Sequence, residues 1–184
     1  MTTFADLTNV ANRVAVQLLR RGETVAVAES SAGGLVSAAL LTVVGASAWY
    51  LGGAVIYTMG ARTAFLDGTI ALPAGIRGAT EGFAVYEAQA VAAELGATWG
   101  VGETGATGPT GNRYGDDAGH AWIAVHGPAP RTKKVATGSA DRPANMFAFA
   151  EAALNELEAA LIEGGRARSA PHADPHAVGE PEGS

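Results

Sequence analysis

The chain has 184 residues, of which 48% are hydrophobic and 16% charged, so it has enough apolar material for one domain with a real core. Its formal net charge of -6 and its scattered basic residues exclude a nucleic-acid backbone as a partner, since that binding needs clustered Lys and Arg. The chain has no cysteine, which excludes disulfides, thiolate catalysis and cysteine zinc sites. No signal-peptide pattern and no membrane-spanning apolar run is present, so we expect a cytoplasmic protein without membrane contact.

Apolar spacing and turn residues predict an alternation of helices and strands. In chain order, the predicted elements are a helix at 4–21, a strand at 24–28, a helix at 32–43, a strand within 50–58, a short helix at 60–66, a helix at 81–95, strands at 98–104, 121–125 and 132–137, and a helix at 141–162. The early alternation favours a parallel sheet covered by helices, whereas the last strands lack intervening helices and include at least one antiparallel strand. We expect one domain over residues 1–163 and a disordered tail, rich in Pro, Gly, His and acidic residues, over 164–184.

Two loops of small residues directly follow predicted strands. Residues 28–34 read AESSAGG and residues 104–111 read TGATGPTG. Open α/β sheets bind ligands at the carboxyl ends of their strands, and backbone N–H groups in such loops suit a phosphate or carboxylate. We therefore predict one polar pocket for a small phosphorylated, nucleotide-like ligand. Its candidate binding residues are Glu29, Ser30, Ser31, Gly33, Gly34, Thr104, Gly105, Thr107 and Gly108.

Each of these residues also has a structural interpretation. Ser30 or Ser31 is equally suited to cap the next predicted helix. Glu29 either orders the loop or orients a substrate ribose. The two threonines either present hydroxyls to the substrate or stabilise the turn, and the glycines first serve the shape of the backbone.

Several segments, in the same order, resemble the CinA C-terminal domain family. They are AESSAGG at 28–34, GASAW at 45–49, GGAVIY at 52–57, TGATGP at 104–109 and Asp141-Arg142, and the resemblance covers roughly residues 5–163. It implies a three-layer α/β/α sandwich with a mixed, mostly parallel five-stranded sheet. It also implies a nicotinamide-nucleotide amidase, which hydrolyses nicotinamide mononucleotide to nicotinate mononucleotide and ammonia, with no metal or organic cofactor. We expect the stand-alone form of the family, without its molybdopterin-binding-like domain, and a homo-oligomer.

The resemblance further implies a serine nucleophile activated by a lysine. The serine falls at Ser47, and the lysine, which ends a segment that begins at Tyr57, falls at Arg62. Arginine stays protonated in proteins, with a pKa above about 12, so Arg62 cannot accept the proton of Ser47. A guanidinium is instead suited to bind a phosphate or to stabilise an oxyanion. The site therefore uses another base, has weak catalytic activity, or has become a binding site without catalysis.

His120 is a candidate for that other base. If the strand at 121–125 is antiparallel to the strand at 98–104, His120 lies at the same edge as both loops, and its ordinary pKa of about 6.5 suits general-base catalysis. The alternative is that His120 only caps or hydrogen-bonds the loop. Ser47 has a similar alternative as a helix cap, and Tyr57 either donates a hydrogen bond in the site or packs in the core.

The remaining polar candidates keep a structural interpretation beside a functional one. Asp116 and Asp117 are either solvated charges or a weak cation site. Arg142 either pairs with Asp141 at the start of the last helix or contacts substrate or a neighbouring subunit. The histidines in the tail, His172 and His176, resemble a metal-ligand spacing with Asp174, but a flexible segment offers no preformed site, so no metal is expected.

The sequence thus favours an amidohydrolase that acts on the carboxamide of a small phosphorylated substrate. Two alternatives remain open at this level. The pocket binds a nucleotide-like ligand without turnover, as a sensor or accessory domain, or the enzyme hydrolyses a different amide.

Overall fold

The computed structural model describes residues 1–169. In chain order, its elements are α1 (Phe4–Arg21), β1 (Val25–Glu29), α2 (Leu35–Leu41), a 3-10 turn (Ala46–Ala48), β2 (Tyr50–Val55), α3 (Met59–Phe65), α4 (Glu81–Leu95), β3 (Trp99–Ala106), β4 (His120–His126), β5 (Arg131–Ala136) and α5 (Arg142–Ser169). Every predicted helix and strand is present, with ends that shift by a few residues.

The strands form one five-stranded sheet in the order β2-β1-β3-β4-β5. β1 is parallel to both of its neighbours, whereas β4 is antiparallel to β3 and to β5. This confirms the mixed, mostly parallel sheet, since only β4 runs against the other strands. Glu29 is paired with Val55 on one side and with Glu103 on the other, so β1, β2 and β3 all end at the same edge of the sheet.

Helices cover both faces of the sheet, which confirms the α/β/α sandwich. On one face, α1, α2 and α5 form the main core with the sheet. The largest buried residues of this core include Leu7, Leu18, Trp99, Phe149 and Leu157. On the other face α4 lies directly against β3. A Cβ atom on Gly102 would overlap the carbonyl oxygen of Ala84, so glycine is required there for the close approach of the helix backbone.

Capping residues fix both ends of α4. The Thr80 hydroxyl accepts from the Phe83 N–H at the start of α4, and Gly96 ends that helix in the left-handed conformation. The prediction that Ser30 or Ser31 caps the second helix is wrong. That helix begins only at Leu35, with Gly34 in the capping position and no side-chain cap from the residue itself.

The last helix is longer than its sequence pattern indicates. α5 continues to Ser169, past the predicted start of the tail at residue 164. Gly164 lies against the Trp99 ring, where a Cβ atom would be 3.2 Å from the nearest ring carbon. Residues 170–184, with His172, Asp174 and His176, lie outside the described part of the chain. Within residues 1–169 no helix is both long and apolar enough to cross a membrane.

Candidate functional site

A cavity of about 400 Å³ opens where β1, β2 and β3 end, and we call it the carboxyl-edge cavity. Its wall contains the hydroxyl groups of Ser30, Tyr57 and Thr104 and the guanidinium groups of Arg62 and Arg113. Within residues 1–169, no aspartate or glutamate lines it. A cavity with two cations and several hydroxyl groups is suited to a small anionic ligand, and its volume lies within the usual range for such sites.

Glu29 lies at the end of β1 but is fully buried beside the cavity rather than in its wall. Its Oε2 accepts from the N–H groups of Gly34 (2.9 Å) and Val36 (3.1 Å), and its Oε1 accepts from the Ser37 N–H (3.0 Å) and hydroxyl (2.7 Å). This carboxylate supplies the cap that α2 lacks, because it satisfies the free N–H groups of the first turn. Of its two interpretations, the geometry matches ordering of the loop.

Glu103, which the sequence analysis did not single out, holds the first loop from the neighbouring strand. Its carboxylate accepts from the N–H groups of Ser30 (3.0 Å) and Ala32 (2.7 Å) and from the Ser31 hydroxyl. Burial raises the pKa of Glu103 to about 7, against the lowering effect of these hydrogen bonds. Ser31 is 4% exposed and faces Glu103, so the structure leaves Ser30 as the loop serine that lines the cavity.

The predicted glycines divide into one cavity residue and three that shape loops. Gly105 lines the cavity. Gly33, Gly34 and Gly108 have φ of 68°, 96° and 102°, the left-handed conformation that favours glycine. These three positions set the course of the two loops around the cavity.

The two predicted threonines have different surroundings. Thr104 lines the cavity, and its hydroxyl accepts from the Ala79 N–H (3.1 Å). Thr107 is buried, and its carbonyl accepts from the Asn145 side chain (2.8 Å), which ties the second loop to α5. Thr104 is therefore placed to contact a ligand, whereas Thr107 stabilises the loop.

Arg62 lies in α3 and is mostly buried. Its Nη2 is 3.3 Å from Asp67, whose other carboxyl oxygen accepts from the Tyr86 hydroxyl (2.8 Å). The Arg62 Nε–H group is buried and has no acceptor among the described residues. The guanidinium thus has one donor that no described residue satisfies.

Tyr57 lies at the rim of the cavity and not in the core, because 61% of its surface is exposed. Its hydroxyl accepts from Arg142 Nη2 (3.1 Å), and Arg142 Nη1 donates to the Gly108 carbonyl (2.9 Å). Arg142 therefore connects the end of β2 to the second loop and orients the tyrosine.

His120 pairs with Ala106 on an antiparallel strand, so it lies at the same edge as both loops, as expected. Its Nε2 is 3.0 Å from the carbonyl oxygen of Ala79, a residue that lines the cavity. Ala79 has a φ of 58°, unusual for a residue with a Cβ, and its N–H and carbonyl are held by Thr104 and His120. The His120 ring therefore contacts the back of a residue that lines the cavity and does not line the cavity itself. This matches the interpretation in which His120 hydrogen-bonds the loop.

Ser47 does not join these residues within one chain. It is exposed in the 3-10 turn before β2, at the amino end of that strand, whereas Tyr57 and Arg62 follow its carboxyl end. At about 3.3 Å per residue, the strand separates the two ends by about 20 Å.

The loop after β3 forms the outer wall of the cavity. Asp116 accepts from Arg77 (2.6 Å) and Asn112 (2.8 Å), and the Arg77 guanidinium lowers the pKa of Asp116 to about 2. Asp116 is thus an ion-pair partner in this structure. The same guanidinium lies 4.9 Å from the ring centre of Tyr114, a residue of the cavity wall.

The family model of the CinA C-terminal domain matches residues 7–161. The chain belongs to the CinA C-terminal domain family. A CinA-like protein of Anaeromyxobacter dehalogenans (strain 2CP-C) is 38% identical over 151 residues, which are 80% of this chain and 36% of that protein. One of Salinibacter ruber is 35% identical over 144 residues, 78% of this chain and 35% of that protein. This CinA-family chain thus spans about a third of the length of these relatives.

Solved structures show the same fold. A CinA superfamily protein from Klebsiella pneumoniae 700603 superposes with a TM-score of 0.77 at 24% identity, covering 85% of this chain and 98% of that one. The competence/damage-inducible protein CihA from Agrobacterium tumefaciens gives 0.75 at 25% identity, covering 84% and 95%. The expected membership of the CinA family and its three-layer fold are confirmed.

Proposed function

We propose that this CinA-family domain hydrolyses the carboxamide of a small phosphorylated substrate, with nicotinamide mononucleotide as the first candidate. The observation that supports the proposal is the carboxyl-edge cavity, whose wall has two guanidinium groups and several hydroxyl groups and, in the part of the chain that the structure describes, no carboxylate. Arg62 and Arg113 neutralise the substrate phosphate or the oxyanion that develops on the amide. The family resemblance supplies the reaction class.

In this mechanism a serine hydroxyl attacks the amide carbon and gives up its proton. The C–N bond then breaks, the departing NH2 group takes up that proton and leaves as ammonia, and water hydrolyses the acyl-enzyme to the free carboxylate. Ser47 is the nucleophile that the resemblance implies. Ser30 is the alternative within one chain, because its side chain lines the cavity.

Ammonia release from nicotinamide mononucleotide tests the proposal, with the product identified by chromatography. We expect activity in the native chain, and a loss of at least about 100-fold in kcat for Ser47→Ala. Ser30→Ala is the companion variant, since it removes the alternative nucleophile, which lines the cavity. No release by the native chain contradicts the proposal, and loss in Ser30→Ala alone reassigns the nucleophile.

A second candidate function is binding without turnover. It is favoured by the lining of the cavity, which among the described residues contains no histidine, lysine or carboxylate that could serve as a base, because the His120 ring faces Ala79 instead. Titration calorimetry with nicotinamide mononucleotide, together with the ammonia assay, separates the two functions. Arg62→Lys should increase turnover if the native site lacks only a base, because a buried lysine with a lowered pKa can accept a proton.

A further inference from the structure

The two guanidinium groups of the carboxyl-edge cavity differ in how far their charges are balanced. Arg62 Nη2 lies 3.3 Å from the Asp67 carboxylate, and only 14% of the Arg62 side chain is exposed. Arg113 is exposed, and none of the ion pairs found within residues 1–169 involves it. In this part of the chain, Arg113 is therefore the cavity guanidinium whose charge is available to an anionic ligand.

Hydrogen bonds fix the loop that carries Arg113. The Asn112 side chain accepts from the N–H groups of Tyr114 (2.9 Å) and Asp116 (3.1 Å) and donates to the Asp116 carboxylate (2.8 Å). Arg77 donates to both oxygens of the same carboxylate, at 2.6 and 3.1 Å. Arg113 Nη2 donates to the Tyr114 hydroxyl (2.7 Å), which orients the guanidinium. A side chain that is already oriented loses less conformational entropy when it binds a ligand.

Tyr114 makes this outer wall more favourable for an anion than for a cation. The guanidinium carbons of Arg77 and Arg113 each lie 4.9 Å from the centre of its ring. Asp116 balances the charge of Arg77, whereas the charge of Arg113 has no such partner among the described residues. A positively charged ring, such as that of nicotinamide in a nucleotide, is repelled by this wall, and a phosphate group is attracted.

The wall beside the strand ends has a different composition. Ser30 and Thr104 contribute hydroxyl groups there. Ile56 and Phe83 contribute apolar side chains that are 4% and 8% exposed. Such a surface suits an uncharged carboxamide, which can hydrogen-bond to the hydroxyl groups, and an aromatic ring, which packs against the apolar side chains.

On the basis of the proposed function, we propose that the cavity binds its substrate in one orientation, with a phosphate monoester on Arg113 and the carboxamide at the strand ends. Arg113 then determines the specificity of the site for phosphorylated over unphosphorylated ligands. Arg62, whose charge Asp67 balances, does not contribute to that preference. The loop contacts of Arg77 and Asn112 hold Arg113 in position for the phosphate.

Titration calorimetry with nicotinamide mononucleotide and nicotinamide riboside, which differ by the phosphate alone, tests the orientation. We expect the native chain to bind the mononucleotide about 10- to 100-fold more tightly, as for a hydrogen bond between charged groups. Arg113→Gln should remove most of this preference and leave the affinity for the riboside unchanged. Arg113→Lys should keep part of the preference, because lysine retains the charge but not the planar pair of donors.

Two control variants and a second probe make this test specific. Arg20→Gln removes an exposed charge from α1 and should keep the full preference. Arg62→Gln should keep the ratio of the two affinities even if both of them fall. Ribose 5-phosphate, which has no carboxamide, should bind the native chain and lose affinity in Arg113→Gln.

Three results would overturn the orientation. They are an equal loss of affinity for both nicotinamide compounds in Arg113→Gln, a preference that disappears in Arg62→Gln instead, and a native chain that binds neither phosphate ester. The ammonia assay separates these results from failure of the proposed function. A preference that depends on Arg113, without ammonia release, supports the orientation and refutes the amidase function. Ammonia release with an unchanged preference in Arg113→Gln supports the amidase function and refutes the orientation.

Discussion

Replacement of Glu87 by methionine should raise the free energy of unfolding, which is unusual for a change at a fully buried position. Glu87 lies in the middle of α4 and has no exposed surface. Neither of its carboxyl oxygens has a hydrogen-bond partner among the described residues. A buried polar group without a partner costs about 1–3 kcal/mol, and methionine fills a similar volume without that penalty.

The gain should also depend on pH. Burial, with the nearby Glu103 carboxyl group, raises the pKa of Glu87 well above its usual value of 4.5. Above pH 4.5 the unfolded chain releases this proton while the folded chain retains it, so folded-state stability falls as the pH rises toward the raised pKa. We therefore expect Glu87→Met to gain about 1–3 kcal/mol at pH 4.5, where only the polar group is removed. For each pH unit above 4.5, up to the raised pKa, the gain should increase by about 1.4 kcal/mol. It should therefore be larger at pH 8 than at pH 4.5.

Urea unfolding, followed by tryptophan fluorescence at pH 4.5, 6.5 and 8, measures this difference. Glu87→Gln is the matched control, because the amide stays polar but does not ionise. Glu87→Gln should show the pH-dependent part of the gain in the free energy of unfolding, and little of the pH-independent part. A Glu87→Met variant less stable than the native chain at pH 8, or one whose gain is equal at all three pH values, would refute this reasoning.

Three further predictions concern the elements around the cavity. Gly102→Ala should destabilise the fold by about 2 kcal/mol or more in thermal or urea unfolding, because its Cβ overlaps the Ala84 carbonyl. Glu29→Gln should cost about 1–2 kcal/mol in the same assay, since an amide cannot accept from every N–H group that the carboxylate satisfies. Asp116→Asn should make loop 107–119 more sensitive to proteolysis. It should also remove a stabilisation that is present above pH 4 and lost as the pH falls toward 2, because Arg77 lowers the pKa of Asp116 to about 2.

The fold could be predicted largely from the sequence, because its signals are local. Glycine and threonine mark the ends of α4, and the helical spacing of Val10, Val14 and Leu18 fits a helix that is buried on one side. The end of α5 could not be predicted. From Gly164 onward the composition changes to that of a tail, although the helix continues to Ser169. Packing of Gly164 against Trp99 is a tertiary contact, and it leaves no mark in the local sequence.

The roles of the acidic residues near the site were harder to predict. Glu103 lies in a strand of small and apolar residues, and a charged side chain at such a position is a signal of buried hydrogen bonding. Its partners come from a loop more than 70 positions earlier in the chain, so only the pairing of β1 with β3 reveals them. The role of Glu29 was equally hard to predict, because a position next to the loop fits both helix capping and ligand binding.

The separation of Ser47 from Arg62, by contrast, follows from a strand that the sequence already predicts. An extended segment between two residues keeps them apart, however close their numbers are, since a strand rises about 3.3 Å per residue. The intervening strand therefore argues against a pair of Ser47 and Arg62 within one chain. Under the proposed function, the serine that the fold places at the cavity within one chain is Ser30. Activity that survives Ser47→Ala and disappears in Ser30→Ala would favour Ser30 as the nucleophile, whereas the opposite result would show that Ser47 acts despite its distance from this cavity.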